Sequence, residues 1–243
     1  MPNPKVSPPQ PPPFWNEVPR WIWRRLELED VFRHALFAKG QPDPWGPFIA
    51  LGSLDSYVEA AKGQQRRIKR AMAAARRLET RSLSTLFEAT HFYLIAWSRV
   101  AKLARFISNR TRFRRVGWVW RRYRLDFESR IAGRDHLEHF EERLPGGLRV
   151  KRLKRPGDIL NMAGHHMTFG GKRLDVGPDS LKLLLTATRE FRTALLYDSV
   201  QALVDADAAS LELLLHRAAS AHHVARITKK ARESLIAARR FQS

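Results

Sequence analysis

Arg134, Asp135 and His139 fall within one short run, Arg134-Asp135-His136-Leu137-Glu138-His139, inside a long arginine-rich segment. An arginine can clamp a phosphate through two parallel hydrogen bonds, and a histidine can move protons near neutral pH. Brought to one phosphate, the two would support RNA cleavage without a metal. Asp135 precedes His139 by one helical turn, so its carboxylate can reach the imidazole and orient it. His136 is an alternative titrating group for the same chemistry.

The run must be positioned by a helix, and the helix sets a constraint. Residues five apart differ in direction by about 140° in an unbroken helix, so Arg134 and His139 do not flank one small group as neighbours. Two arrangements escape this. The helix can kink near Gly133, since glycine weakens a helix locally. Alternatively, two copies of the chain can meet at this helix and share one cleft. Val116, Val119, Trp120, Tyr123, Phe127 and Ile131 form the apolar stripe of the same helix, and Arg134 falls in the middle of that stripe. A charged group there needs a partner or a purpose. The structural alternative is an ion pair of Arg134 with Glu88, Asp126 or Glu138 at a helix interface, with His139 on the surface.

An Arg-polar-x-x-x-His run late in a long helix of a mainly helical chain resembles the HEPN superfamily. Its pattern is an Arg, often followed by Asn, Asp or His, then a His after four to six residues. Arg134, Asp135 and His139 match it, and the surrounding run to Leu144 resembles uncharacterised bacterial HEPN-like proteins. The resemblance covers about residues 50–215 as a fold and six residues as a motif. It implies a metal-independent RNA endonuclease of toxin–antitoxin, phage-defence or CRISPR type, acting as a homodimer, with no cofactor. It also admits a relative that has lost catalysis and only binds nucleic acid or a partner protein, such as an antitoxin. In the catalytic case the RNA 2′-hydroxyl attacks the adjacent phosphorus, leaving a cyclic phosphate. His139 serves as base or acid, Arg134 holds the phosphoryl oxygens, and Asp135 orients His139.

Charge points to the same partner class. The 243-residue chain carries a formal net charge of +20 and has a pI near 11.2. The segment from Lys62 to Lys154 holds 25 Lys/Arg against eight Asp/Glu. Such a surplus attracts polyanions, with nucleic acid first. Arg112, Arg114, Arg115, Arg121, Arg122 and Arg124 are the expected nucleic-acid contacts. They alternate with Phe113, Trp118, Trp120 and Tyr123, which at helical spacing belong to the core more readily than to a base-stacking surface. No cysteine is present, which excludes disulfides, thiolate zinc sites and a cysteine nucleophile. The adjacent pairs His165-His166 and His222-His223 point apart on helix or strand and make poor metal sites. No stretch has the ~18 apolar residues of a membrane span, so a cytoplasmic protein with no membrane partner is expected.

The expected fold class is all-α: an antiparallel helix bundle with one small β-hairpin insertion. Residues 1–25 form a proline-rich leader, with eight of the 14 prolines by position 19. A polyproline run lacks donors for helix or sheet and favours extended chain. Trp15, Trp21 and Trp23 would pack it onto a single domain spanning 26–243. Helices are expected over about 26–39, from Ser53 or Asp55 to Leu78, over 82–108 and over 112–144. Pro145-Gly146-Gly147 closes the fourth. Gly170-Gly171 marks a hairpin turn within about 159–176, and Pro178 opens a fifth helix. A helical extension follows from about 205.

Overall fold

Helix α1, Leu28–Ala38, begins with Glu29 and Asp30 in its first turn, where carboxylates complement the positive helix end. It buries Leu28, Val31, Phe32, Ala35 and Leu36, a three-four spacing that makes one apolar face. Gly40 ends it with φ of +61°, and the Gly40 and Gln41 N–H groups donate to Phe37 and Leu36 carbonyls. This paired closure needs a left-handed residue, which glycine supplies without a Cβ clash. The computed structural model describes residues 11, 27–77, 79, 82–138, 161–163, 165–169, 172–206 and 213–215. The rest of the expected leader with its tryptophans, His139, the Pro145-Gly146-Gly147 stop, Gly170-Gly171, His222-His223 and most of the C-terminal extension lie outside the described residues.

Helix α2 spans Trp45–Arg76 and so starts well before Ser53 or Asp55. The Gly46 N–H donates to the Asp43 carboxylate at 3.0 Å, which caps the earlier start. Pro47 sits in the first turn, where its missing N–H has no helical partner to lose. The cluster of prolines therefore stops the chain only as far as Pro44. Helix α3 is Ser82–Thr111 and helix α4 is Arg114–Glu138. Between them Arg112 takes a left-handed φ of 53°. Thr111 stabilises the corner: its hydroxyl donates to the Ile107 carbonyl and accepts from the Phe113 N–H.

Three short antiparallel strands follow: β1 Asn161–Ala163, β2 His166–Phe169 and β3 Lys172–Asp175, in the order β1-β2-β3. β2 and β3 are the expected hairpin, and β1 adds a third strand. Helix α5 runs Pro178–Ala206 and does start at the proline.

The chain divides into two compact units. The first holds Gly52–Arg105 and Arg121–Arg189. Its core includes Ile68, Leu94, Trp97, Phe127, Met167, Leu174 and Leu184. Met167 and Leu174 are cross-strand partners, and both side chains reach Gly133 of α4. A Cβ on Gly133 would stand 2.6 Å from Leu174 Cδ2, so the glycine lets the sheet approach the helix. Helix α4 continues as α-helix through Gly133, so the glycine's role here is close packing. Tyr93 is fully buried and its hydroxyl donates to Ser180 Oγ at 3.0 Å, joining α3 to α5.

Among the described residues, the second unit contains 11, 27–51, 106–120, 190–206 and 213–215. Asp198 of α5, itself buried, accepts the Arg115 and Val116 N–H groups at 2.8 and 3.1 Å. It also pairs with the Arg115 guanidinium at 2.9 Å. One carboxylate thus satisfies the first turn of α4, a contact of the kind worth about 0.5–2 kcal/mol for the cap alone.

Candidate functional site at the end of helix α4

Arg134 lies in the first unit, on the side of α4 that meets α3. Its side chain is 15% exposed. Its guanidinium donates to Ser98 Oγ at 3.3 Å through Nη1 and to Asp135 Oδ1 at 3.0 Å through Nε. Nη2 makes a further close contact with Asp135 Oδ1. Glu138, one turn on, places Oε2 3.3 Å from Nε. The other oxygen of Glu138 is 3.8 Å from His91 Nε2 on α3. The result is a chain of polar groups, Ser98, Arg134 with Asp135, then Glu138, with His91 Nε2 beside it but without a hydrogen bond.

One turn earlier on α4, Arg130 repeats the pattern more deeply. It is buried, bonds the Asp126 carboxylate and carbonyl at 3.3 and 3.2 Å, and lies 4.7 Å above the Trp97 ring. Asp126 therefore serves Arg130, and Glu88 serves Arg67 at 3.2 Å. Of the three acids considered as partners of Arg134, Glu138 is the one that reaches it.

Asp135 is spent on Arg134, its sequence neighbour, as described; His139 lies outside the described residues. His136 is 3% exposed and so is enclosed by the protein. Two residues at the site escaped sequence reasoning, His91 and Ser98. They are seven apart on α3, which places them within about 20° of one another on the helix. Both flank the apolar stripe through Thr90, Leu94 and Trp97, and a polar pair at that spacing beside a buried stripe was the available signal.

The electrostatics of the cluster limit its chemistry. Two carboxylates face one guanidinium, so with His91 neutral the group carries a net −1. A phosphate anion is repelled unless a carboxylate swings aside. Among the described residues, no group of three or more His, Cys, Asp or Glu side chains is arranged to hold a metal.

The expected nucleic-acid arginines divide by environment. Arg112, Arg114, Arg121 and Arg124 are exposed, the last paired with Glu128 at 3.0 Å. Arg115 does not belong to an open contact set, because Asp198 draws it into the α4 cap. Arg122 is half-buried with its guanidinium 5.5 Å from the Tyr123 ring centre. Phe113 and Tyr123 are buried, so neither offers a face to a base. Other exposed cations stand on α2 and α3, notably Arg66, Lys69 and Arg70, and Arg99, Lys102 and Arg105. No helix among the described residues is long and apolar enough to cross a membrane.

No protein-family model, curated protein or solved structure matches the chain.

Proposed function

We propose that the chain is an RNA-binding helical protein whose contacts are the exposed cationic sides of α2 and α3. The observation that carries this reading is uncompensated surface charge in the first unit. Arg66, Lys69 and Arg70 form one patch at three- and four-residue spacing, and Arg99, Lys102 and Arg105 form another. None of these six has a carboxylate at ion-pair distance among the described residues. Arginines that serve the fold are paired instead, as Arg115, Arg130 and Arg134 are. The exposed set is therefore a surplus that the fold does not use, and phosphates are its natural counter-charge. Reversing Arg99 and Lys102 to Glu should weaken binding of a generic single-stranded RNA about tenfold or more while leaving the melting temperature near wild type. Unchanged affinity would remove the α3 patch from the interface.

A second reading is a HEPN-like, metal-independent endoribonuclease acting as a homodimer, with a toxin or defence role and a partner antitoxin. One observation favours it: Arg134, Glu138 and His91 bring a phosphate-binding cation near a proton-transfer group, with His91 Nε2 3.8 Å from Glu138. In this reading a carboxylate releases Arg134 when the phosphodiester arrives, and His91 or His139 moves the proton. Incubation of RNA with pure protein in chelator, with analysis for cyclic-phosphate ends, tests it. Cleavage that disappears in Arg134→Lys supports the reading, since Lys keeps charge but loses the two-pronged geometry. Intact RNA under all conditions removes it.

A further inference from the structure

We propose that the proline run of the leader, Pro8-Pro9-Gln10-Pro11-Pro12-Pro13, docks on an exposed aromatic ladder at the corner between α1 and α2. The ladder is Phe37, at the end of α1, with Trp45 and Phe48 in the first turn of α2. The Trp45 ring stands 5.8 Å from that of Phe37 and 5.9 Å from that of Phe48, edge-to-face with each at 81°. Phe37 and Trp45 are each 52% exposed, and Ile49, next to Phe48 in the chain, is 63% exposed. The corner itself brings the rings together. Gly40 closes α1 three residues after Phe37, and the Asp43 carboxylate caps α2 through the Gly46 N–H. The chain thus turns back and sets Trp45 against Phe37. Large apolar side chains grouped in the open mark a surface that another segment covers. The whole ladder lies within the second unit.

Chemistry, charge and reach select the proline run as the occupant. Aromatic-lined surfaces hold polyproline helices, whose pre-set backbone loses little entropy on docking. In that conformation residues three apart share a side and repeat about every 9 Å, so Pro8 with Pro11, and Pro9 with Pro12, can present paired rings to the ladder. In a chain of net charge +20, residues 6–16 carry no charged side chain, and residues 37–49 hold only Lys39 and Asp43. Both are engaged at the corner: Lys39 Nζ lies 4.8 Å over the Phe113 ring, and Asp43 accepts the Gly46 N–H. Such a surface suits a neutral ligand better than a phosphate or an anionic headgroup. Pro11, in the middle of the run, is half-buried and falls in the same unit as the ladder. The 13 residues between Pro13 and Glu27 can span about 40 Å when extended. From Leu28 to Phe37, α1 is about 15 Å long, so the leader is long enough to double back to the ladder.

The chain has no cysteine, so an introduced disulfide can report the contact. Gln10→Cys with Gln41→Cys, in the full-length chain at low micromolar concentration, puts one thiol in the run and one at the corner. The rate of disulfide formation is read by non-reducing electrophoresis and mass spectrometry. Gln10→Cys with Thr193→Cys is the reference pair. Thr193 is exposed in the same unit and adjoins Arg192, which pairs with Glu29 at the opposite end of α1 from Phe37. The first pair should close within one chain. Adding Phe37→Ala with Trp45→Ala should slow it about tenfold, because the tether remains but the docked geometry is lost. Pro9→Ala with Pro12→Ala should slow it likewise. The reference pair should not slow in either background, so a loss of fold cannot pass as support. The proposal is overturned if the aromatic change leaves the first rate unaltered, or if both pairs slow alike. It is also overturned if the disulfide joins two chains, which would make a second copy the occupant.

Discussion

Arg134 faces two carboxylates and one hydroxyl, and this arrangement decides what its loss does. Replacing it with Ala strands Glu138 and Asp135 beside the apolar stripe. Removal of one partner from a buried pair costs about 3–5 kcal/mol. Here the cost should be smaller, about 1–3 kcal/mol, because Asp135 is nearly half exposed and keeps its water. Chemical denaturation of Arg134→Ala measures it. A midpoint identical to wild type would show that the guanidinium carries no structural load and would return it to the catalytic reading. Gly133, its neighbour, makes the opposite kind of demand. Ala there gains helix propensity of about 1 kcal/mol, but its methyl meets Leu174 Cδ2 inside a packed core. Overpacking costs about 1–3 kcal/mol, so Gly133→Ala should be neutral to destabilising, and truncating the obstacle in Gly133→Ala/Leu174→Ala should show a non-additive recovery. A clear rise in stability for Gly133→Ala alone would contradict the packing role.

The elements are joined by a few buried polar contacts whose behaviour with pH is distinctive. Tyr93 ties α3 to α5 through Ser180, and burial raises its phenol above the usual value, opposed by the Ser180 bond and the Arg130 charge. The neutral phenol is therefore the form the fold prefers. Its contribution is complete below about pH 10, the unfolded value, and is lost as pH rises through the higher folded value. Wild type should lose stability in urea above about pH 10 more steeply than Tyr93→Phe, which also forfeits a hydrogen bond worth about 1 kcal/mol at neutral pH. Parallel pH profiles would refute the assignment. At this scale much was legible in the sequence. The three-four period through Leu86, Thr90, Leu94 and Trp97 marks α3, Pro178 marks the start of α5, and Gly170-Gly171 lies between two paired strands. Leu83 is in phase with the same stripe but is 61% exposed, since the first turn of α3 runs ahead of its buried face. The start of α2 lies earlier than Ser53 or Asp55 because Pro42, Pro44 and Pro47 break the pattern in sequence, whereas Asp43 caps the helix and Pro47 is harmless in a first turn. The partners of Arg134 were only half legible. Glu138 follows from helical spacing, but His91 and Ser98 come from another helix, and only tertiary packing brings them near.

Across the whole molecule the surplus of positive charge is larger than any structural use of it. The fold consumes arginines in pairs with Asp198, Asp126 and Glu138, and it leaves Arg66, Lys69 and Arg70 of α2 and Arg99, Lys102 and Arg105 of α3 without an acidic partner at ion-pair distance among the described residues. Sequence composition made the charge surplus legible; it could not say which cations were structural, because Arg115 and Arg121 look alike until Asp198 is seen to hold one of them. Binding of a polyanion by such surfaces releases condensed counterions, and the number released is set by the phosphates contacted. The most direct test of the account is therefore the dissociation constant of wild type for a generic single-stranded RNA, followed from about 50 to 300 mM monovalent salt. With Arg66, Lys69, Arg70, Arg99, Lys102 and Arg105 engaged, the slope of log K against log salt should be about −4. No binding at the lowest salt, or an affinity that stays flat across the range, would contradict it.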